Sequence, residues 1–273
     1  LYGTNFAAAR VFSGGAANLA RAAGTLLPQR QDRPTGLAFS MKRFYQHVTV
    51  DAAEAGFGVR LDGTVLLTPA RRKLALPTRA LAEALAAEWA AQGAEIRPAT
   101  MPLMALIATA IDRIADNPGA TAAEAAKYAG TDLLCYRAEY PDSLVRRERE
   151  LWQPLLDWAA DRFDAPLRVT AGIVPIAQPP DSLKALRAVL DGMDPLALSA
   201  VAALTSSSGS LIVALALWDG RLGAAGAIAA SLIDESFQTE RWGEDAEAAA
   251  RRRRIEADIA AGAQMLALLR AAR

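Results

Sequence analysis

Apolar and polar positions fall into two regimes along this chain. Over residues 44–76 short β-forming runs are cut by turn residues, and from Thr78 onward apolar positions recur every three to four residues, the spacing of helices. Residues 45–50 are rich in β-formers, and Val59-Arg60-Leu61 and Thr64-Val65-Leu66 flank Asp62-Gly63. That dipeptide tolerates positive φ at both centres of a type I′ turn, so the two runs are expected to pair as a hairpin. Pro69 ends the second run, and residues 74–76 read as one more short strand before Pro77.

Thr78 is a fitting N-cap for a helix carrying Leu81, Leu85 and Trp89, with Gly93 as its stop. Pro102 opens the next helix, whose stripe is Leu103, Leu106, Ile107, Ala110, Ile111 and Ile114, and Asn117-Pro118-Gly119 ends it. Thr121 and Glu124 form a capping box that predicts a short helix up to Gly130. Residues 131–138 are apolar enough to be buried. A charged helix is expected from Ser143, kinked or split by Pro154, with Trp152, Leu155, Leu156 and Trp158 as core or helix seam. Residues 167–176 read as extended. Ser182 is expected to cap a helix closed by Gly192, and Asp194-Pro195 to start the following one. Residues 206–210 read as a turn and cap before a helix over 211–218. The last helix is expected over 243–269, with Ile255, Ile259, Met265 and Leu266 packing back on the bundle. The class is α+β, a small β unit followed by helices.

Composition narrows the options. At 273 residues with 52% apolar but only 6% aromatic side chains, the chain suits helices packed closely through small residues. Thirty basic and thirty acidic residues cancel, so no global field draws it to nucleic acid or membrane. One cysteine, Cys135, excludes an intramolecular disulfide and points to a reducing compartment. With one histidine, His47, the usual zinc sets cannot be assembled. The uncharged run 195–218 is long enough to span a bilayer, but residues 205–210 put a polar, turn-like segment at its middle, so two short buried helices fit better. Residues 1–40 are rich in Ala, Gly and Arg with Asp32 as their one acid. They read as a leader or flexible segment outside the fold, either upstream sequence before a natural start at Met41 or an organellar transit peptide.

The stretch 231–249 concentrates chemistry. Asp234, Glu235, Glu240, Glu244, Asp245 and Glu247 surround Trp242 and Gly243, with Arg241 their one counter-charge inside the stretch and Arg251 to Arg254 following. A helix end, a break at Trp242-Gly243 and a new helix are expected, with Glu247–Arg251 and Arg254–Asp258 at i,i+4 spacing. Such a run is either a solvated, self-paired helix start or a recognition spot anchored by the indole. No dinucleotide fingerprint, phosphate loop, metal cluster or triad appears, so no catalytic residue, metal or cofactor is assigned. His47 reads as structural, Cys135 as an inert core thiol, and the serine run lacks a nucleophile motif.

Taken in order, several segments resemble one family: Lys42-Arg43-Phe44-Tyr45, residues 61–78, residues 81–92 with Glu88-Trp89, Met101-Pro102-Leu103 with Thr109-Ala110-Ile111-Asp112, TDLLCYRA at 131–138, WQPLLDW at 152–158, and FQTERWGED at 237–245. The set resembles the ATP-synthase assembly chaperones that hold the α subunit of the catalytic head. The resemblance implies a small N-terminal β-rich domain over 41–77, a larger all-helical domain over 78–273, and no catalysis. It implies binding of the unassembled α subunit on the surface that later meets the β subunit, with Glu240, Glu244 and Asp245 as partner-binding residues, to which the indole reading above adds Trp242. Glu88-Trp89 matches a motif with a folding role, whereas Met104 stands where the family has a polar residue. A bacterial cytoplasmic protein is expected, or one of the mitochondrial matrix, monomeric when free, without membrane insertion or nucleic acid. The rivals are a carboxylate-based metal-dependent hydrolase and a nucleic-acid binder using Arg251 to Arg254, against which the interleaved Glu247, Glu256 and Asp258 argue.

Overall fold

Asp62 and Gly63 turn the chain at φ 45° and 82°, as a type I′ turn requires. In a computed structural model, which describes residues 41–172 and 174–270, this turn joins β3 (Gly56–Leu61) to β4 (Thr64–Val65), and β3 also pairs antiparallel with β2 (Val48–Ala53). The β2–β3 hairpin was not evident from the sequence. Its turn ends on Gly56, at φ 129°, where a Cβ would lie 2.3 Å from the Leu76 carbonyl oxygen, so no other residue fits. Strand β2 starts at Val48, later than expected, because Tyr45 turns inward to be 4% exposed and donates its hydroxyl to the Trp89 carbonyl at 2.7 Å. His47 is exposed and acts through its backbone, donating to Asp62 Oδ1 at 2.7 Å and accepting from the Asp62 N–H at 2.9 Å. In place of a strand over 74–76 there are only isolated bridges, Lys73 to Leu67 and Leu76 to Phe57. A short strand β1 (Met41–Lys42) pairs with β5 (Glu95–Ile96). The expected leader over 1–40 lies outside the described residues.

Helix α1 (Arg79–Ala90) starts as expected, with Thr78 Oγ1 accepting from the Leu81 N–H at 3.0 Å, and packs Leu81, Leu85 and Trp89 inward against β2 and β3. Helix α2 (Pro102–Thr109) runs into a π-turn over Ala110–Ile114 that keeps Ala110 and Ile114 on the buried side. Helix α3 (Pro118–Lys127) starts three residues before the expected capping box. Asn117 Oδ1 caps it by accepting from the Ala120 N–H at 3.3 Å, and Pro118 sits where its missing N–H costs nothing. Helix α4 (Asp142–Phe163) passes unsplit through Pro154 and buries Trp152, Leu155, Leu156 and Ala159. Beside it, β6 (Tyr136–Arg137) pairs parallel with β7 (Thr170–Ala171). Helix α5 (Pro180–Asp191) begins before Ser182, which does not cap it but donates its hydroxyl to the Pro166 carbonyl at 2.7 Å.

The apolar run folds as two buried helices, α6 (Pro195–Ser208) and α7 (Leu211–Asp219), so the serines at 206–208 are helical rather than part of a turn. Gly209, at φ 72°, breaks the helix, and Ser210 caps α7 by accepting from the Val213 N–H at 3.0 Å. No described helix is long and apolar enough to cross a membrane. Then come α8 (Ala224–Ser231), α9 (Ile233–Trp242) and α10 (Ala246–Arg270). Helix α10 crosses α6 so closely that a Cβ on Gly262 would fall 2.6 Å from Leu204 Cγ. Its far end returns to the β side, where Thr78 Oγ1 donates to the Leu268 carbonyl at 3.1 Å. Buried residues from Tyr45 to Leu266 form one continuous apolar cluster.

Candidate docking surface at the end of α9

Helix α9 is held at its root and open at its tip. At the root, Trp152 of α4, fully buried, donates its indole N–H to the Ala230 carbonyl at 2.8 Å, just before α9 begins. Ile233 and Phe237 face the core. Asp234 is drawn in against Glu148 of α4, which is 1% exposed and accepts from the Ala138 N–H at 2.8 Å. Burial, with the neighbouring Asp234 carboxylate adding to it, pushes the Glu148 carboxyl up to about 8 against the pull of that N–H. Asp234 Oδ1 is buried without a hydrogen-bond donor, and burial raises the Asp234 carboxyl as well, so the two acids titrate as a pair.

At the tip, Gly243 at φ 81° ends α9, and Trp242 is 74% exposed. Every other acid of the stretch but Glu247 has a local task. Glu240 accepts from Arg147 Nη1 through both carboxylate oxygens, at 2.9 and 2.7 Å. Glu235 lies 3.6 Å from Arg251. Glu244 lies 3.1 Å from Arg252 Nε without a hydrogen-bond alignment, since the aligned bond of Arg252 goes to Thr239 Oγ1 at 3.1 Å. Asp245 Oδ1 caps α10 by accepting from the Ala248 N–H at 2.8 Å. Neither expected i,i+4 pair is among the ion pairs of the described residues. Arg251 turns to Glu235 instead, and Asp258 accepts from the Ser207 hydroxyl at 3.4 Å.

The four partner-binding candidates are therefore neighbours in the chain but not one face. At 3.6 residues per turn, Glu240 and Trp242 stand about 200° apart around α9. Glu240 belongs with Arg147 and Phe237, whose ring has the guanidinia of Arg147 and Arg241 each 5.4 Å from its centroid. Thr239, Arg252 and Glu244 form the other cluster. Arg147 and Phe237 escaped sequence reading because Arg147 lies 93 residues from Glu240 and Phe237 has the spacing of ordinary core. The acids that would serve a metal-dependent hydrolase do not converge, and among the described residues no group of three or more His, Cys, Asp or Glu is placed to hold a metal ion.

The Glu88-Trp89 pair has a structural role. Glu88 accepts from the Leu103 and Met104 N–H groups at 2.8 and 2.9 Å, which caps α2 from a different helix. Met104 thus contributes its backbone, and its apolar side chain is half-buried. Trp89 is 8% exposed and packs its ring on Tyr45 at 5.7 Å between centroids. Cys135 is fully buried, and burial pushes its thiol far above the ordinary range, which makes it inert.

The family profile described as ATP12 chaperone protein matches residues 42–160. Atp12 of Paracoccus denitrificans, known from a crystal structure, is 44% identical and superposes with a TM-score of 0.78 over 84% of this chain and 98% of its own. A chaperone candidate from Agrobacterium tumefaciens is 40% identical, with a TM-score of 0.78 over 84% of this chain and 87% of its own. The mitochondrial atp12 protein of Schizosaccharomyces pombe is 25% identical over 216 residues, 75% of this chain and 74% of that relative. Matched at such identity over nearly the whole of a solved relative, the chain belongs to the ATP12 chaperone family.

Proposed function

We propose that this protein is an assembly chaperone of the F-type ATP synthase that binds the unassembled α subunit of the catalytic head and shields its β-facing surface until the two subunits pair. Membership of a chaperone family supports the general reading. For the site, the supporting observation is Trp242, 74% exposed at the tip of a helix whose root is locked into the core. A large exposed indole has a cost in water that contact with another polypeptide removes. Acids at the same tip supply register and selectivity rather than bulk affinity. The subunit surface destined for assembly is apolar and prone to aggregate, so covering it needs moderate, reversible binding. The chain is a monomer when free and belongs to the bacterial cytoplasm, with the mitochondrial matrix the alternative.

The test is capture of purified α subunit by the intact chain. Glu240→Lys and Trp242→Ala should each weaken capture at least tenfold while the melting temperature stays within a few degrees of the parent, since both side chains are more than half exposed. Undiminished capture by both variants would remove the site assignment.

A further inference from the structure

We propose that Arg147 is an internal stand-in for an arginine of the client. In the free chaperone its guanidinium holds the Glu240 carboxylate and covers the Phe237 ring, and a client guanidinium takes its place on docking. The proposal rests on the docking reading above and names the chemistry that the Glu240 side of the site recognises.

If the acids of this surface dock a cationic client, they must change partners, because most are already engaged. Asp245 is committed to the backbone of α10. Asp234 is sealed against Glu148. Glu244 and Arg252 are 27% and 24% exposed, too enclosed for ready exchange. Glu235 is only 3.6 Å from Arg251, a loose contact with no aromatic face described beside it. Glu240 and Arg147 differ from all of these: they are 55% and 47% exposed, so a second cation can approach while the first still holds.

The geometry also selects the kind of cation. One Arg147 nitrogen bridges both Glu240 oxygens while the guanidinium carbon sits 5.4 Å from the Phe237 centroid. A carboxylate beside an aromatic face suits a planar, weakly hydrated guanidinium better than a compact, strongly hydrated ammonium. Arg241 lies 5.4 Å from the same ring and forms no ion pair among the described residues. An added client arginine would therefore be a third cation around one ring. Exchange avoids that crowding, and Arg147 is the cation that occupies the carboxylate. Half-exposed ion pairs contribute little net stability, so the stand-in can hold the site in shape and still yield.

The experiment compares the affinity of purified α subunit for five full-length forms: parent, Arg147→Met, Arg147→Lys, Glu240→Lys, and the exchange Arg147→Glu with Glu240→Arg, each checked by thermal melting. Arg147→Met keeps an apolar stem over Phe237 but removes the competing charge, so capture should tighten about two- to fivefold. Arg147→Lys, a weaker occupant, should tighten it about twofold or less. The exchanged pair still closes but offers the client a cation, so capture should fall at least tenfold. Unchanged or weaker capture by folded Arg147→Met, or parent-like capture by the exchanged pair, overturns the proposal. Loss of capture in Glu240→Lys alongside either result leaves the docking reading standing, whereas parent-like capture by Glu240→Lys removes this proposal together with the Glu240 side of that reading. Should Arg147→Met fail to fold, Arg147→Lys and the exchanged pair decide.

Discussion

Glu88 and Asp132 show what a carboxylate does inside this protein. Glu88 is drawn in from α1 to hold the first two N–H groups of α2; burial raises its carboxyl and the two amides pull it back. Asp132, with no exposed surface, accepts from the Ser210 hydroxyl at 2.7 Å and from the Leu134 and Ile212 amides at 3.1 Å. Its carboxyl is pushed up to about 6 by burial, against those bonds. Glu88→Ala leaves two amides at the start of a helix without partners and should cost about 1–3 kcal/mol in urea unfolding, with client capture unchanged in the folded variant. At this scale the sequence was half readable. Cys135 read as an inert core thiol and is buried as one, but the Asp245 cap did not show, because the last helix was expected from 243, and neither did the Glu240 partner, since nothing local in a run such as RRERE says which arginine will face a residue 93 positions away. The six acids had the pattern of a free negative patch because their counter-charges came from α4 and from the second turn of α10.

Elements were legible where one residue both stops and starts the chain. Thr78, Asp194, Gly192 and the Asp62-Gly63 turn do what their chemistry implies, because a cap or a positive φ is a short-range need. Thr121 and Ser182 misled for a related reason. A proline at the first helical position, with Asn117 or Pro179 before it, starts the helix earlier and leaves the hydroxyl inside it. Long-range pairing was the harder part. Two-residue strands such as β1 with β5 and β6 with β7 carry too few positions for a period to show. Nor does a lone helical glycine reveal its purpose. Gly262 exists for the crossing with Leu204, so Gly262→Val should destabilise the fold by about 1–3 kcal/mol in the same urea assay, overpacking outweighing the gain in helix propensity.

For the molecule as a whole, the buried Glu148–Asp234 pair ties stability to pH. Glu148 is raised from its ordinary 4.5 to about 8, so the protonated fold is fully stabilised below about pH 4.5 and loses that contribution as pH climbs through 8. The groups around it set the balance. Asp234 and its neighbour Glu235 add negative charge, while Arg137 beside them gives its bonds to the Leu134 carbonyl and Gln153, and helps only at a distance. The unfolding free energy of the parent should therefore fall between pH 5.5 and 8.5, by at most about 1.4 kcal/mol per pH unit from this site, and Glu148→Gln should flatten that slope. A slope unchanged in the Gln variant would place the proton elsewhere. The span of the Arg147–Glu240 link carries a consequence for the order of events in the cell. Its two halves are 93 residues apart in sequence, so a ribosome must add everything from α5 to α9 after α4 before Arg147 meets its complement. Helix α4 therefore emerges with its arginine unpaired with Glu240, and copies that terminate before α9 never close that link.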